Sequence, residues 1–322
     1  MLQRPLESGE ANGILIVSII NLFIAYKLYF YLLPKEKEII TVPISIKIDN
    51  EHFYQSIITI TSLIENIKSD TLYDIYILVP NNFMIDNRLK LLTLEVKYKN
   101  IKINLIESEE PFVKIKNFKS NYYKIFYPNL IPNYDKIIFI HWNTLIFDDL
   151  EALYNIDLKD KYFLGFLNSD NSIYNSFNIK IDKSIKTNVL LINMKKLKEN
   201  NYNKEFKNLF IKYKDNKEMN EEIMINILYK DKVGILPAKY GIPNFNNIDL
   251  GLEYNNKIIE NFRYDKNDYI SSYYNPFIMN FICEPLLSGN KCYNYEVYWY
   301  YIKKSEYYDE IKTRFGKIFE EK

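Results

Sequence analysis

The chain has 322 residues, 48% of them hydrophobic, which is enough to build one large core or two small ones and excludes a largely disordered chain. Lys and Arg number 42 against 41 Asp and Glu, so the net charge of +1 provides no global field for nucleic acid and excludes a dedicated nucleic-acid binder. His52 and His141 are the only histidines, which rules out a histidine-rich zinc site, and Cys283 and Cys292 are too few for a disulfide framework and read as free thiols of a reducing compartment.

Residues 1–12 are a polar start. Gly13 to Leu33 is almost continuously apolar, interrupted by Asn21 and Lys27 and closed by Pro34, and about 20 such residues suffice to cross a bilayer as a helix. The segment lacks the basic start and the small-residue cleavage site of a secretory signal, while Lys27, Lys35 and Lys37 lie towards its carboxyl end. Two readings of residues 13–34 stay open. One is a membrane anchor holding the following domain on the cytoplasmic face; the other is a hydrophobic helix packed on protein, with Lys27 snorkelling from its edge. Glu36 to Glu38 is a charged hinge, and one domain over 39–310 with a charged tail over 311–322 follows.

Ile39 to Ile48 alternates as a β-strand and ends in the polar run Asp49-Asn50-Glu51-His52. Gln55 to Ile67 has apolar residues at helical spacing, Tyr73 to Val79 is a β-branched strand stopped by Pro80, Asn87 to Lys97 is a helix, and Ile101 to Ile106 is a strand. That alternation predicts an α/β fold with a mainly parallel sheet covered on both faces. Asn121 to Tyr154 then reads as an aromatic helix ended by prolines, a buried strand over Ile137 to Ile140, the polar turn His141-Trp142-Asn143, and another short strand. Ligands of open α/β sheets sit outside the carboxyl ends of strands, so this turn is the first place to look for chemistry.

Further on, Tyr162 to Phe166 and Thr187 to Asn193 are strands separated by a polar loop over 168–178. Met194 to Lys214 is predicted as one largely charged helix, and Asn220 to Leu228 as a helix with an acidic start, where Glu221 and Glu222 complement the helix dipole. Val233 to Leu236 and Phe277 to Cys283 are late strands, and Tyr293 to Tyr307 is an aromatic helix.

The order of these segments, with Asn121-Tyr-Tyr-Lys-Ile-Phe-Tyr-Pro and Asp149-Leu-Glu-Ala-Leu-Tyr as the strongest match and Ile57 to Ile64, Tyr73-Asp-Ile-Tyr-Ile-Leu and Val189-Leu-Leu-Ile-Asn-Met as supporting ones, resembles glycosyltransferase family 8 over about residues 40 to 310. Those enzymes are retaining galactosyl- and glucosyltransferases, lipopolysaccharide glycosyltransferases and glycogenin relatives among them. The resemblance implies a GT-A nucleotide-diphospho-sugar transferase-like sandwich, a nucleotide sugar as donor, a glycan as acceptor, and a Mn²⁺ or Mg²⁺ ion that stabilises the leaving diphosphate. It places the family's metal positions on His141, Asn143 and Asn280, where both carboxylates of an aspartate-any-aspartate pair are missing. The nucleotide-sugar positions fall on Asp49, which matches a carboxylate facing the base, on His52 in place of a stacking tyrosine, on Lys124 in place of an arginine, and on Lys186. Glu221 takes the place of the family's catalytic-region glutamine. The late histidine, glycine and lysine-proline-tryptophan signature is replaced by Asn280 to Ser288, which removes a lysine that would face the diphosphate.

Three readings of the turn stay open at this point: a weak metal site completed by the donor diphosphate, a protonated His141 or an incoming Lys186 in place of the metal charge, or His141 and Trp142 simply filling a strand-end pocket. The functional choice is correspondingly double, between a membrane-associated hexosyltransferase and a catalytically silent relative that binds a glycan, a nucleotide or an active partner.

Overall fold

The computed structural model describes residues 21–29, 39–107, 123–131, 133–168, 170–200, 202–213, 215–244, 264–281, 284–288 and 294–316. Cys283, Cys292, Lys35 and Lys37 lie outside them. Residues up to 39 form a unit of their own. Of the expected helix over 13–34, residues 21–29 are described; they are helical, with Leu22, Phe23, Ile24, Tyr26, Leu28 and Tyr29 exposed. Among the described residues no helix is long and apolar enough to cross a membrane.

The second unit is built on a seven-stranded sheet in the order β3-β2-β1-β4-β7-β6-β8. Its strands are β1 (Ile40–Lys47), β2 (Thr71–Val79), β3 (Ile101–Glu107), β4 (Lys136–Ile140), β6 (Phe163–Leu167), β7 (Ile185–Asn193) and β8 (Val233–Ile235). β1 pairs in parallel with β2 on one side and β4 on the other, whereas β7 is antiparallel to β4 and β6. The predicted mainly parallel α/β sandwich is therefore present, with antiparallel pairing within this seven-stranded sheet confined to β7. A smaller sheet of β5 (Thr144–Ile146), β10 (Ile278–Phe281) and β9 (Ile242–Asn244) stands beside it.

The side-chain period of two sorts the strand residues onto two faces. Val42, Ile44, Ile46, Ile138 and Ile140 pack on one face with helix Phe53–Glu65 and helix Tyr295–Lys304, while Tyr76, Leu78, Ile137, Phe139 and Leu190 pack on the other with helix Tyr202–Tyr213 and helix Glu221–Leu228. Continuous apolar runs follow from burial on both sides. The order also places a topological switch point between β1 and β4, since the chain winds from β1 towards β3 on one side and returns to β4 on the other.

Helix Phe53–Glu65 is buried along nearly its whole length, polar residues included. Its hydroxyls therefore need partners inside the fold, and two of them build the site. Thr59 donates to the Trp142 carbonyl at 2.6 Å, and Ser62 Oγ accepts the Ile146 N–H at 3.0 Å, so this helix holds both ends of the turn between β4 and β5.

Three boundaries differ from the periodicity. The charged helix expected over 194–214 is two helices, Met194–Glu199 and Tyr202–Tyr213, because Asn200 is extended. The aromatic helix ends at Lys304 rather than Tyr307. A further helix, Tyr308–Phe315, runs past residue 310 into the expected tail and buries Ile311 completely.

Candidate functional site

The register of the parallel pair decides what meets at the switch point. Ile46 lies opposite Ile140, so the next residues, Lys47 and His141, emerge side by side at the carboxyl ends of β1 and β4. The His141 N–H donates to the Asn188 carbonyl at 2.8 Å, which brings the start of β7 to the same end. There β7 also needs the bulge at Gly165 of β6: a Cβ on Gly165 would stand 2.6 Å from the Lys186 carbonyl oxygen, so a side chain there would push the 186–188 segment away. The result is a cavity of about 390 Å³ lined by Lys47, Asp49, Tyr123, Lys124, His141, Trp142, Thr187, Asn220, Glu221 and Glu222.

Asn220 caps helix Glu221–Leu228 by accepting the Ile223 N–H at 3.0 Å, which fixes the two glutamates that follow it. Glu221 is buried, and so is Lys124. The Lys124 ammonium lies 2.7 Å from Glu221 Oε2, and the Lys124 backbone N–H donates to Glu221 Oε1 at 2.6 Å. Burial pushes the Glu221 carboxyl above its usual range against the pull of Lys124. The ammonium also sits 4.4 Å above the Phe139 ring. Two residues expected to act separately, Lys124 on the nucleotide and Glu221 near the sugar, are thus bonded to each other.

Glu222 turns to the other side, accepting from Thr187 N–H at 3.0 Å and pairing with Lys186 at 3.2 Å. Lys186 therefore reaches the site through Glu222, and it is not a lining residue.

Asp49 and His52 form a second pair, at 2.9 Å. The hydrogen bond to Asp49 raises the His52 imidazole above its usual value despite burial. Burial works to raise Asp49, but His52's side chain and backbone N–H, with the charges of His52 and Lys47, outweigh it and leave that carboxyl low. The His52 contribution to stability is complete below 6.5 and lost as pH rises through its raised folded value. The Asp49 contribution is present above 3.8 and lost as pH falls through its lowered one. The pair is partly exposed, so its worth is about 0.5–1 kcal/mol. In urea unfolding, the stability gap between wild type and His52→Gln is expected to be that much wider at about pH 6 than at about pH 9. Equal gaps count against a charged pair. His52 also stacks on Trp142, with ring centroids 4.1 Å apart and planes 18° apart, so one face of the residue expected to stack on a base is already covered.

At the turn itself, Asn143 Nδ2 donates to the Phe281 carbonyl at 2.6 Å, which fixes the amide, and its Oδ1 lies 2.6 Å from His141 Nδ1. Nδ1 must then carry the proton and Nε2 the lone pair. Burial first, and the Lys124 charge next, push His141 down to about 4. It is neutral at pH 7, so the charge expected from a protonated His141 is not supplied.

A family model described as Glycosyl transferase family 8 matches residues 43–277. This chain belongs to glycosyl transferase family 8. No curated protein matches its sequence. Among solved structures, the family 8 chain is similar to the WbbM bifunctional glycosyltransferase (TM-score 0.68, 18% identity, 88% of this chain and 53% of WbbM) and to the galactosyltransferase LgtC (TM-score 0.65, 16% identity, 82% and 96%). It is also similar to the glycosyltransferase GlyE of Streptococcus pneumoniae (TM-score 0.57, 17% identity, 86% and 64%). The chain thus spans about half the length of WbbM. These similarities establish the GT-A fold.

The metal expected of the family does not fit the donors that this family 8 chain presents. Asn143 Oδ1 is taken by the His141 N–H, and the Asn280 amide accepts from Thr144 Oγ1 at 3.0 Å and donates to the Gly241 carbonyl at 3.3 Å. Strand alternation turns Asn280 towards Thr144, directly opposite it on β5, and neither Asn143 nor Asn280 lines the cavity. His141 Nε2 alone remains of the three expected ligands. Hard dications need anionic oxygens, and no group of three His, Cys, Asp or Glu stands close enough to hold one among the described residues.

Lining residues that periodicity did not single out are Lys47, Tyr123, Asn220 and Thr187. Lys47 carried a visible signal, a cation at a strand's carboxyl end, but only its register with β4 distinguishes it from an ordinary solvated lysine.

Proposed function

We propose that this family 8 chain binds a nucleoside-diphosphate sugar in the cavity at the ends of β1 and β4. It transfers the hexose, with retention at the anomeric carbon, to a surface-glycan acceptor of the lipopolysaccharide kind. The main support is the convergence of Asp49, Lys124, His141 and Glu221 around one cavity at the sheet's switch point. LgtC is described as a galactosyltransferase in complex with donor and acceptor sugar analogs, and a form with glutamine replaced by glutamate as an active-site mutant. Glu221 stands where the resemblance puts the family's catalytic-region glutamine.

One observation favours a second reading. The Glu221 carboxylate is already satisfied by Lys124 inside the fold, as a pocket without turnover would have it.

The test is to mix full-length protein in detergent with a panel of nucleoside-diphosphate hexoses and follow binding and release of the nucleoside diphosphate. Hydrolysis of one donor, with binding weakened about tenfold in Asp49→Ala, supports transfer. Binding without release in the presence of any glycan acceptor selects the silent relative, and no binding overturns the transferase reading.

The apolar segment 13–34 supports a membrane-held enzyme at the cytoplasmic face. Full-length protein that stays soluble without detergent overturns that part.

A further inference from the structure

The far edge of the seven-stranded sheet carries a second cavity. β8 ends the strand order and pairs in parallel with β6, and along it runs a cavity of about 530 Å³ that shares no lining residue with the one at β1 and β4. Lys161, just ahead of β6, and Lys230, just ahead of β8, border one end. Because β7 is antiparallel to β6, the loop ahead of β7 brings Lys180 and Lys183 to the other. Four cations from three segments thus meet two carboxylates, Asp182 and Asp231.

Lysines commonly guard a sheet edge by standing in solvent. Here the wall that carries them is built. Asn171 Nδ2 donates to the carbonyls of Ile181 and Asp182, both at 3.1 Å, and the fully buried Asn226 accepts the Ile185 N–H at 2.8 Å and donates to the Ile185 carbonyl at 2.9 Å. The loop over 180–185 is therefore pinned from both sides. A Cβ on Gly234 would stand 2.4 Å from Leu164 Cδ2 and 3.2 Å from Lys161 Cγ, so glycine lets the Lys161 stem lie across β8. Lys161 is engaged, by Asp160 at 3.6 Å and the Asp231 carbonyl at 3.1 Å, whereas Lys180, Lys183, Lys230 and the carboxylates of Asp182 and Asp231 enter no ion pair among the described residues. Opposite charges line one cavity without neutralising each other.

That mixture narrows the ligand. An ammonium on a flexible stem meets a phosphate oxygen as a point charge, and an ionised carboxylate, which can only accept, takes the protons of hydroxyls. Buried Ile181, Ile185 and Val233 add the apolar floor that small-ligand sites have. A polynucleotide backbone would meet both carboxylates, and the flat surface of a bilayer does not enter a cavity.

We infer that this cavity binds a hexose that carries a phosphate, with Lys180 and Lys183 facing the phosphate and Asp182 and Asp231 accepting from the sugar hydroxyls.

The experiment is calorimetric titration of full-length protein in detergent with glucose, mannose and galactose 6-phosphates, the three free hexoses, inorganic phosphate and a thymidine decanucleotide. Wild type is expected to bind one hexose phosphate at least about tenfold more tightly than the matching hexose or phosphate alone. The double variant Lys180→Ala, Lys183→Ala is expected to weaken that binding about tenfold, and Asp231→Ala to weaken it while leaving inorganic phosphate unaltered. Thermal melts of both variants confirm that they fold. Equal affinity for phosphate and hexose phosphate, tighter binding of the oligonucleotide, binding unaltered by the double variant, or no binding at all overturns the inference. Nucleoside-diphosphate binding, which tests the donor cavity, is expected to be unchanged in the double variant, so either reading can fail while the other stands.

Discussion

Replacing Lys124 with methionine is expected to destabilise the fold by about 3–5 kcal/mol, the cost of leaving a buried charge without its partner. Lys124 and Glu221 are both about 5% exposed, so water cannot take the place of the lost ammonium. The Glu221 carboxylate keeps one hydrogen bond, from the Lys124 backbone N–H, which does not offset the desolvation of a full charge. The loss should depend on pH with a definite sign. Without the Lys124 ammonium, burial is opposed only by the backbone N–H of residue 124 and the Lys47 charge, and the folded pKa of Glu221 lies further above the unfolded value of 4.5. The folded state then binds the proton more tightly than the unfolded one, so the variant is more stable below 4.5 and loses stability as pH rises through the folded value. The double variant Lys124→Met, Glu221→Gln removes the charge and retains an acceptor for that backbone N–H, and is expected to recover most of the loss. Urea unfolding of the three proteins at acid and neutral pH decides the matter: a loss below about 1 kcal/mol, flat with pH, would mean that the pair is solvated.

That pair marks where reading from sequence stops. Each partner is visible alone, Lys124 in an aromatic segment and Glu221 at the acidic start of a helix. Nothing local says that residues so far apart are bonded, because the contact is made by packing of two elements against β4. The strands were legible for the opposite reason. Ile44, Ile46, Ile75, Ile77, Ile138 and Ile140 are required apolar by burial on both faces of a parallel sheet, so their runs fix strand positions closely. The stop signal at Pro80 fixes the end of β2, whereas Pro128 sits in the first turn of helix Tyr127–Leu130 instead of ending a helix.

Misplaced boundaries share a cause as well. Asn200 and Ser305 sit inside patterns that continue helically, but both residues are extended, and Ser305 Oγ accepts the Tyr307 N–H at 3.2 Å. Short polar side chains offer the backbone a local alternative to the helix, and tertiary packing chooses between them. Ile311 was hidden by the charges around it: one apolar residue per turn in a charged segment gives no periodic signal, yet it is fully buried. β9, three residues that include Pro243, is too short to alternate at all.

At the turn between β4 and β5, sequence told which ligands were absent, and structure tells what occupies their place. If lost charge is the reason that a dication does not fit, then restoring it has a measurable result. In the double variant His141→Asp, Asn143→Asp, the main chain should keep its course, since it is held by His141 N–H to Asn188, Phe281 N–H to Asn143 and Thr59 to Trp142, none of which uses the exchanged side chains. Two carboxylates then replace a neutral imidazole and an amide at the mouth of the crevice. Mn²⁺ affinity is expected to rise at least about 100-fold, equivalent to about 2.7 kcal/mol. Binding to the folded state alone raises the melting temperature by linkage, so the variant should melt higher in Mn²⁺ than in EDTA, whereas wild type should melt alike in both. A variant that keeps its fold and ignores Mn²⁺ would show that charge at 141 and 143 is not what the site lacks. Lys47, standing beside residue 141, would then be the group that keeps a dication out.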